Sequence, residues 1–267
     1  MSLQSTYAAI VNVLSTHSRV IKAILIRDMR TRFGRTHFTY LVAIGWPLSH
    51  LVGMVVMFTA VDRMLPFGGN STIFISTGAL PYILCLYPAR LMGHAITQNA
   101  GALSFPIVRT VDLIIAKCIL EGLTAFIAGL IFAGGLWALG FDVIPLDIPT
   151  ALTSFYAAVF FGLSIGTVAM TMKAILKTPG YLTVLLMLVV CYAGSGVYIN
   201  LLPTTPTMRT LIDFNPIYHL VQWTRSAYFD THSAVPLDKS YVLRLSCFFL
   251  FLGLAGERLF RGKILTQ

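Results

Sequence analysis

Six apolar runs dominate this chain, at about 41–61, 72–92, 115–139, 151–172, 180–200 and 241–257. Each is close to the roughly 20 residues that a helix needs to cross a hydrocarbon core of about 30 Å. Inside that core no water is available to the backbone, so such a segment must bond its own N–H and C=O groups as helix. Composition agrees. The chain is 57% hydrophobic and 11% charged, whereas soluble domains carry about 25% charged residues. The expected fold is an all-α integral membrane protein, with six transmembrane helices in a single domain over residues 1–267.

The charges are sorted by loop. Of the 19 Lys and Arg, fourteen fall before the first run, after the even-numbered runs and at the C-terminus: Arg19, Lys22, Arg27, Arg30, Arg32, Arg35, Arg90, Arg109, Lys117, Lys173, Lys177, Arg258, Arg261 and Lys263. Asp62, Asp142, Asp147, Asp213, Asp230 and Asp238 lie in the other loops. The positive-inside rule then places both termini in the cytoplasm, as an even number of spans requires. The net charge of +9 is read as topogenic. No aromatic-plus-basic motif points to nucleic acid, so none is expected as a partner. Cys85, Cys118, Cys191 and Cys247 stand far apart and form no CxxC, which argues against a disulfide framework or a metal site. The first 40 residues show no apolar core with a small-residue cleavage site, so the first span is expected to direct insertion itself.

The segments between spans carry further detail. In "RVIKAILIRDMRTRFG" the residues Ile21, Leu25, Met29 and Phe33 recur every four positions. This predicts a basic amphipathic helix over about 19–35, lying on the cytoplasmic interface. The region of about 93–110 is long for a turn and carries Gln98 and Asn99 before Pro106, which suggests a short protruding helix. Glu121 enters the third span with Lys117 one turn before it, and an i,i+4 Lys117–Glu121 ion pair is the economical account. Gly162 and Gly166, four apart, suit close helix packing, either within one chain or between two. Trp46, Tyr82, Tyr192 and Tyr198 lie in or beside spans, as an interfacial aromatic belt or as a lining able to stack on sugar rings, and His50, a lone histidine in the first span, reads as a packed or hydrogen-bonded side chain rather than a ligand. "GERLFRGKI" is no phosphate loop: it has five residues between its glycines and Ile264 where Ser or Thr is required.

One stretch, "NPIYHLVQWTRSAYFD" (Asn215 to Asp230), is too short and too polar to span. Asn215 is a good N-cap and Pro216 a good first helical residue. His219, Gln222 and Arg225 fall on one side of that helix, which topology places outside the cytoplasm. The residues before it suit a re-entrant pair, giving short helices over about 201–230.

Three stretches in order, "RDMRTRFGRTHFTYLVAIGWPLSH", "VRTVDLIIAKCILE" and "FNPIYHLVQWTRSAYF", resemble the membrane permease subunits of type-2 ABC exporters for capsular and related surface polysaccharides of Gram-negative bacteria. The resemblance covers nearly the whole chain. Two positions depart from the usual pattern: Trp46 stands where a Glu is common before the first-span proline, and Thr110 where a Pro is common.

The resemblance implies a homodimer in the inner membrane that exports lipid-linked polysaccharide. It implies two copies of a separate ABC ATPase that binds ATP and Mg, with no cofactor or metal on this chain and no catalysis by it. A periplasmic co-polymerase and an outer-membrane channel are further implied partners. On that reading Arg27, Asp28, Arg30, Arg32, Arg35, Gln98 and Asn99 dock the ATPase, and Trp46, His50, Tyr82, Tyr192 and Tyr198 line the conduit. Asn215, Pro216, His219, Gln222, Trp223 and Arg225 form a periplasmic gate whose polar face meets sugar. The alternatives are an exporter of O-antigen, another glycolipid, a lipid or a drug, and, in another class, a membrane-embedded glycosyl or acyl transferase.

Overall fold

Polar caps start three of the helices. The side chains of Asn70, Asp147 and Asn215 each accept a hydrogen bond from a backbone N–H in the first turn of the helix that follows, at 2.9, 3.2 and 3.0 Å. The computed structural model describes residues 3–33, 37–60, 70–197, 205–229 and 237–265, and all regular structure among them is helical. The order is α1 (Leu3–Phe33), α2 (His37–Ala60), α3 (Ser71–Gly93), α4 (Ala95–Gln98), α5 (Ala100–Leu103), α6 (Thr110–Ala138), α7 (Ile148–Ala193), α8 (Pro206–Asp213), α9 (Pro216–Ser226) and α10 (Lys239–Leu265).

Helices α3, α6 and α7 are long and apolar enough to cross a membrane, and α2 contributes a shorter apolar stretch, Ile44–Met57. The fourth and fifth runs of the sequence both fall within α7. Its path reverses at Lys177, which adopts φ 58° and ψ −146°. Pro179 follows two residues later and cannot supply a helical N–H. A Cβ placed on Gly180 would lie 2.7 Å from the carbonyl oxygen of Met172. In a continuous helix, residues eight apart are separated by about 12 Å. Residues 148–176 and 178–193 are therefore two arms folded back on each other.

The first arm of α7 is the centre of the bundle, with Ser164, Thr167 and every residue between them buried. Gly162 and Gly166 lie against α3: a Cβ on Gly162 would be 2.7 Å from Cys85 Cα, and one on Gly166 would be 3.0 Å from Ala89 Cα. Cys85 Sγ adds a hydrogen bond to the Ala158 carbonyl at 3.2 Å. On the other side α10 brings Gly253 against the backbone of Thr167, and Thr171 Oγ1 donates to the Gly253 carbonyl at 3.0 Å. The small residues thus pack helices within one chain.

The outward faces are apolar: Leu123 and Leu130 on α6, Leu186 and Val190 on α7, and Phe248 and Phe251 on α10 are all exposed. Meanwhile Ser154, Ser164, Thr167 and Thr171 are inside. A surface of this kind is stable against lipid rather than against water, and the chain is an integral membrane protein.

Replacing Gly162 with Ala is expected to lower the thermal midpoint in detergent, at a cost of about 1–3 kcal/mol from overpacking. Gly134, with nothing within 4 Å of its Cβ position, should accept Ala with no loss. Equal midpoints for the two variants would contradict the α3–α7 contact.

Candidate functional site

Helix α1 begins at Leu3, well before the expected start near residue 19, and packs on α6. Two polar contacts fix it there. His17 Nδ1 lies 2.9 and 3.0 Å from the carboxylate oxygens of Asp112, and Asp112 also accepts the Arg109 N–H at 3.1 Å. Farther along, Lys117 Nζ lies 2.9 Å from Asp28 Oδ2, with both side chains buried. Lys117 also donates to Gln98 Oε1 at 3.3 Å.

Beside the expected Lys117–Glu121 pairing, Lys117 has a close acidic partner that sequence reading did not supply: Asp28, on another helix. An i,i+4 rule sees only neighbours on one helix, whereas α1 brings a carboxylate from outside it. This pair also sets the face of α1. Ile24 and Asp28 point inward and Met29 is exposed, so the apolar stripe read from Ile21, Leu25, Met29 and Phe33 is rotated.

The expected docking residues separate accordingly. Arg27 and Arg30 are exposed, and so is Gln98. Asp28 and Asn99 are buried, 6% and 1% exposed, and do not offer a docking surface. Asn99 turns inward and donates to the Ala95 carbonyl. The side chain of Arg32 and all of Arg35 lie outside the described residues. The protruding helix expected around Gln98 is instead two short turns, α4 and α5, followed by a bend that exposes Phe105 and Ile107. Sequence reading passed over these two, although a Phe-Pro pair in a polar loop is a signal for an exposed apolar knob.

The expected conduit residues do not gather on one wall. Tyr82 and Tyr192 stack on each other with ring centroids 3.7 Å apart, and Tyr192 donates to Met54 Sδ. They brace α3, α7 and α2 together. Trp46, 65% exposed, lines a groove of about 410 Å³ at the end of α3. His50 faces Tyr87, ring nitrogen to hydroxyl 3.4 Å. Tyr198 lies outside the described residues.

That groove was not foreseen. Besides Trp46 it is bordered by Tyr87, Arg90, His94 and Tyr181. Lys173 bonds His94 Nδ1 and donates to Thr97 Oγ1 at 3.2 Å. Burial pushes His94 below its ordinary pKa, and the positive charges of Lys173, Arg90 and Lys117 push it further the same way. Both effects favour the neutral imidazole, in which Nδ1 accepts from Lys173 and Nε2 carries the hydrogen. The first arm of α7 carries Lys173 to the end of α3, and the reversal at Lys177 brings Tyr181 back to it.

At the opposite end, every residue of α9 from Pro216 to Arg225 is buried. The gate reading gave its polar side to a lumen, but that side faces protein. Arg225, 1% exposed, donates to the carbonyls of Gly196 and Val197, both at 2.8 Å, and of Phe74 at 3.4 Å. Its guanidinium carbon sits 3.6 Å from the Phe74 ring centroid. His219 Nε2 donates to the Asp213 carbonyl at 2.8 Å, and its Nδ1 accepts the Asp238 N–H at 3.3 Å. Asn215 caps α9 and also reaches back to the Cys191 carbonyl at 2.6 Å. Gln222 and Trp223 are buried as well. A helical wheel separates faces but does not say which are covered, and α3, α7 and α10 together cover all of α9.

Two substitutions test these anchors. Arg225→Ala should reduce the yield of folded protein on size exclusion, since each lost bond from a charged donor is worth about 1.5–3 kcal/mol. Arg225→Lys should recover it only partly, because an ammonium cannot reproduce the planar fork. Asp28→Ala should destabilise by about 3–5 kcal/mol by leaving Lys117 charged and buried. Asp28→Leu with Lys117→Met should be milder than either single change, as measured by thermal unfolding.

No protein-family model matches the chain. Individual relatives do. It is 27% identical over 248 residues to the capsule polysaccharide export inner-membrane protein CtrC of Neisseria meningitidis serogroup B, covering 91% of each chain. It is 23% identical over 248 residues to the polysialic acid transport protein KpsM of Escherichia coli, covering 92% of this chain and 95% of KpsM. To the capsule polysaccharide export inner-membrane protein BexB of Haemophilus influenzae it is 26% identical over 230 residues, covering 81% of each. With an all-helical, apolar-surfaced bundle beneath that similarity, the chain is a relative of the inner-membrane proteins of capsule polysaccharide export.

Proposed function

We propose that this protein is the membrane-spanning subunit of an ABC exporter that carries lipid-linked capsular or similar surface polysaccharide across the inner membrane. The similarity to CtrC over 91% of both chains carries this reading. The apolar outer surface and buried polar side chains support it, since they suit a subunit that works within lipid. Transport is its role, with ATP and Mg handled by a separate ATPase chain. Six spans with both termini in the cytoplasm fit the loop charges.

In this reading the chain works as a homodimer with two ATPase copies. The exposed Arg27, Arg30 and Gln98, with Phe105 and Ile107 on the adjoining bend, supply the docking face. An apolar knob ringed by polar groups is the usual composition of a protein contact. Motion of the ATPase would pass into α1, and through the His17–Asp112 and Asp28–Lys117 contacts into α6. A periplasmic co-polymerase and an outer-membrane channel complete the path.

Deleting the gene in its host is expected to abolish surface polysaccharide while polymer accumulates inside. The wild-type gene should restore export, and the tagged chain should copurify with an ABC ATPase. Normal surface polysaccharide in the deletion strain would overturn the reading.

A further inference from the structure

A second groove lies at the end of the bundle that Arg225 closes. It opens between α2 and α6, with a volume of about 580 Å³. Leu48, Val55 and Thr59 line it from α2, and Ile131 and Gly135 from α6, with Thr72 of the first turn of α3 beside them. No charged side chain is part of this lining. Glycine keeps the α6 wall low: a Cβ on Gly135 would have nothing within 4 Å. A Cβ on Gly162, Gly166 or Gly253, which pack α3 and α10 on α7, would clash. Those glycines draw helices together, whereas Gly135 leaves α2 and α6 apart.

Three observations identify what fills the space. The first is continuity with the lipid-facing surface. Val52 and Val56 at the rim on α2 and Ile131 on α6 are exposed, and Ile131 adjoins Leu130 on the outward face of the same helix. The groove therefore opens sideways into hydrocarbon.

The second is length. From Leu48 to Thr59, α2 rises about 16 Å. That is close to half of a hydrocarbon core of about 30 Å, the depth of one leaflet. A helix of another chain, about 10 Å across with its side chains, would need roughly twice the volume over the same length.

The third is a polar group at one end. Thr59 Oγ1 is buried and has no hydrogen-bond partner among the described residues. It lies in the last turn of α2, where the apolar run of that helix ends. An unsatisfied hydroxyl at the edge of hydrocarbon is costly, and an ester carbonyl at the head of an acyl chain would satisfy it.

We propose that this groove holds one ester-linked acyl chain of a membrane phospholipid, lying along α2 from Thr59 towards Leu48, with Thr59 Oγ1 donating to the ester carbonyl. The chain fills the gap between α2 and α6 and exchanges more slowly than lipid on the outer surface. Neither the groove nor its occupant depends on the export reading.

The test uses the full chain in phosphatidylcholine nanodiscs doped with a phosphatidylcholine that carries a diazirine along one acyl chain. Labelled residues are identified by mass spectrometry after illumination. Labelling of Val52, Val56 and Ile131 is expected to saturate as the probe fraction rises. Labelling of Leu186 and Val190, on the outward face of α7, should rise in proportion to that fraction. Gly135→Phe, which fills the groove, should cut groove labelling at least about fivefold. Gly134→Phe should leave it unchanged, since Gly134 also has open space around its Cβ position but does not line the groove. Thr59→Val should cut subsaturating labelling about fivefold, the worth of one neutral hydrogen bond. Size exclusion reports whether each variant folds, and saturation on the unmodified chain decides the matter even where a variant does not.

Groove labelling that rises in step with that of Leu186 would overturn the proposal, because the groove would then meet only passing lipid. So would unchanged groove labelling in folded Gly135→Phe, or no groove labelling at all, which would assign the space to protein. Unchanged labelling in folded Thr59→Val would overturn the ester contact.

Discussion

The guanidinium of Arg225 closes one end of the bundle. It bonds carbonyls of Gly196 and Val197, just past the end of α7, and that of Phe74 in the first turn of α3. A helix that ends near lipid leaves carbonyls without partners, and in hydrocarbon each costs several kcal/mol. A rigid fork with five donors satisfies several at once. The guanidinium also covers the Phe74 ring. Around this hub α9 is drawn inward, and His219 and Asn215 fasten its first turn to the ends of α8, α10 and α7. The short polar segment between the spans is therefore a plug of structure that joins the start of α3 to the end of α7.

Glycine performs the corresponding task at the middle of the bundle. Lipid gives no hydrophobic drive for one helix to join another, so attraction depends on close van der Waals approach. Gly162 and Gly166 allow α3 to touch the backbone of the first arm of α7, and Gly253 allows α10 to do so from the other side. The aromatic stack of Tyr82 on Tyr192 then ties the second arm to α3. The opposite end of the bundle is held by charge instead. Asp28 and Asp112 take up Lys117 and His17, and this fixes the long N-terminal helix on α6. Arg90 and His94 border the groove at the same end.

Much of this was legible in the residues. The apolar runs announced a helical membrane protein, and the Asn-Pro pair at Asn215 marked the start of α9 with its cap and first turn. The spacing of Gly162 and Gly166 announced a close helix contact, though not with which partner. The three stretches that resemble capsule-export permeases pointed to the same relatives that whole-chain comparison found. What misled was local reasoning about partners. Lys117 has Glu121 one turn away in sequence, and nothing local announces its contact with Asp28, some ninety positions earlier. The polar side of α9 looked like a wet face and is covered by three helices.

The sequence alone determined what depends on solvent and on short-range geometry: which segments are helical and apolar, that Asn215 begins a helix, and how basic residues are sorted between loops. These follow from hydrocarbon length, backbone satisfaction and turn chemistry, which act over a few residues. Only the tertiary structure decided which helix each glycine touches, that Asp28 reaches Lys117, that Arg225 is spent on carbonyls, and that Trp46, Arg90, His94 and Tyr181 border one groove. Each of these joins residues distant in the chain, and the reversal at Lys177 with the packing of α1 on α6 sets those distances. Periodicity along a single helix carries no information about them.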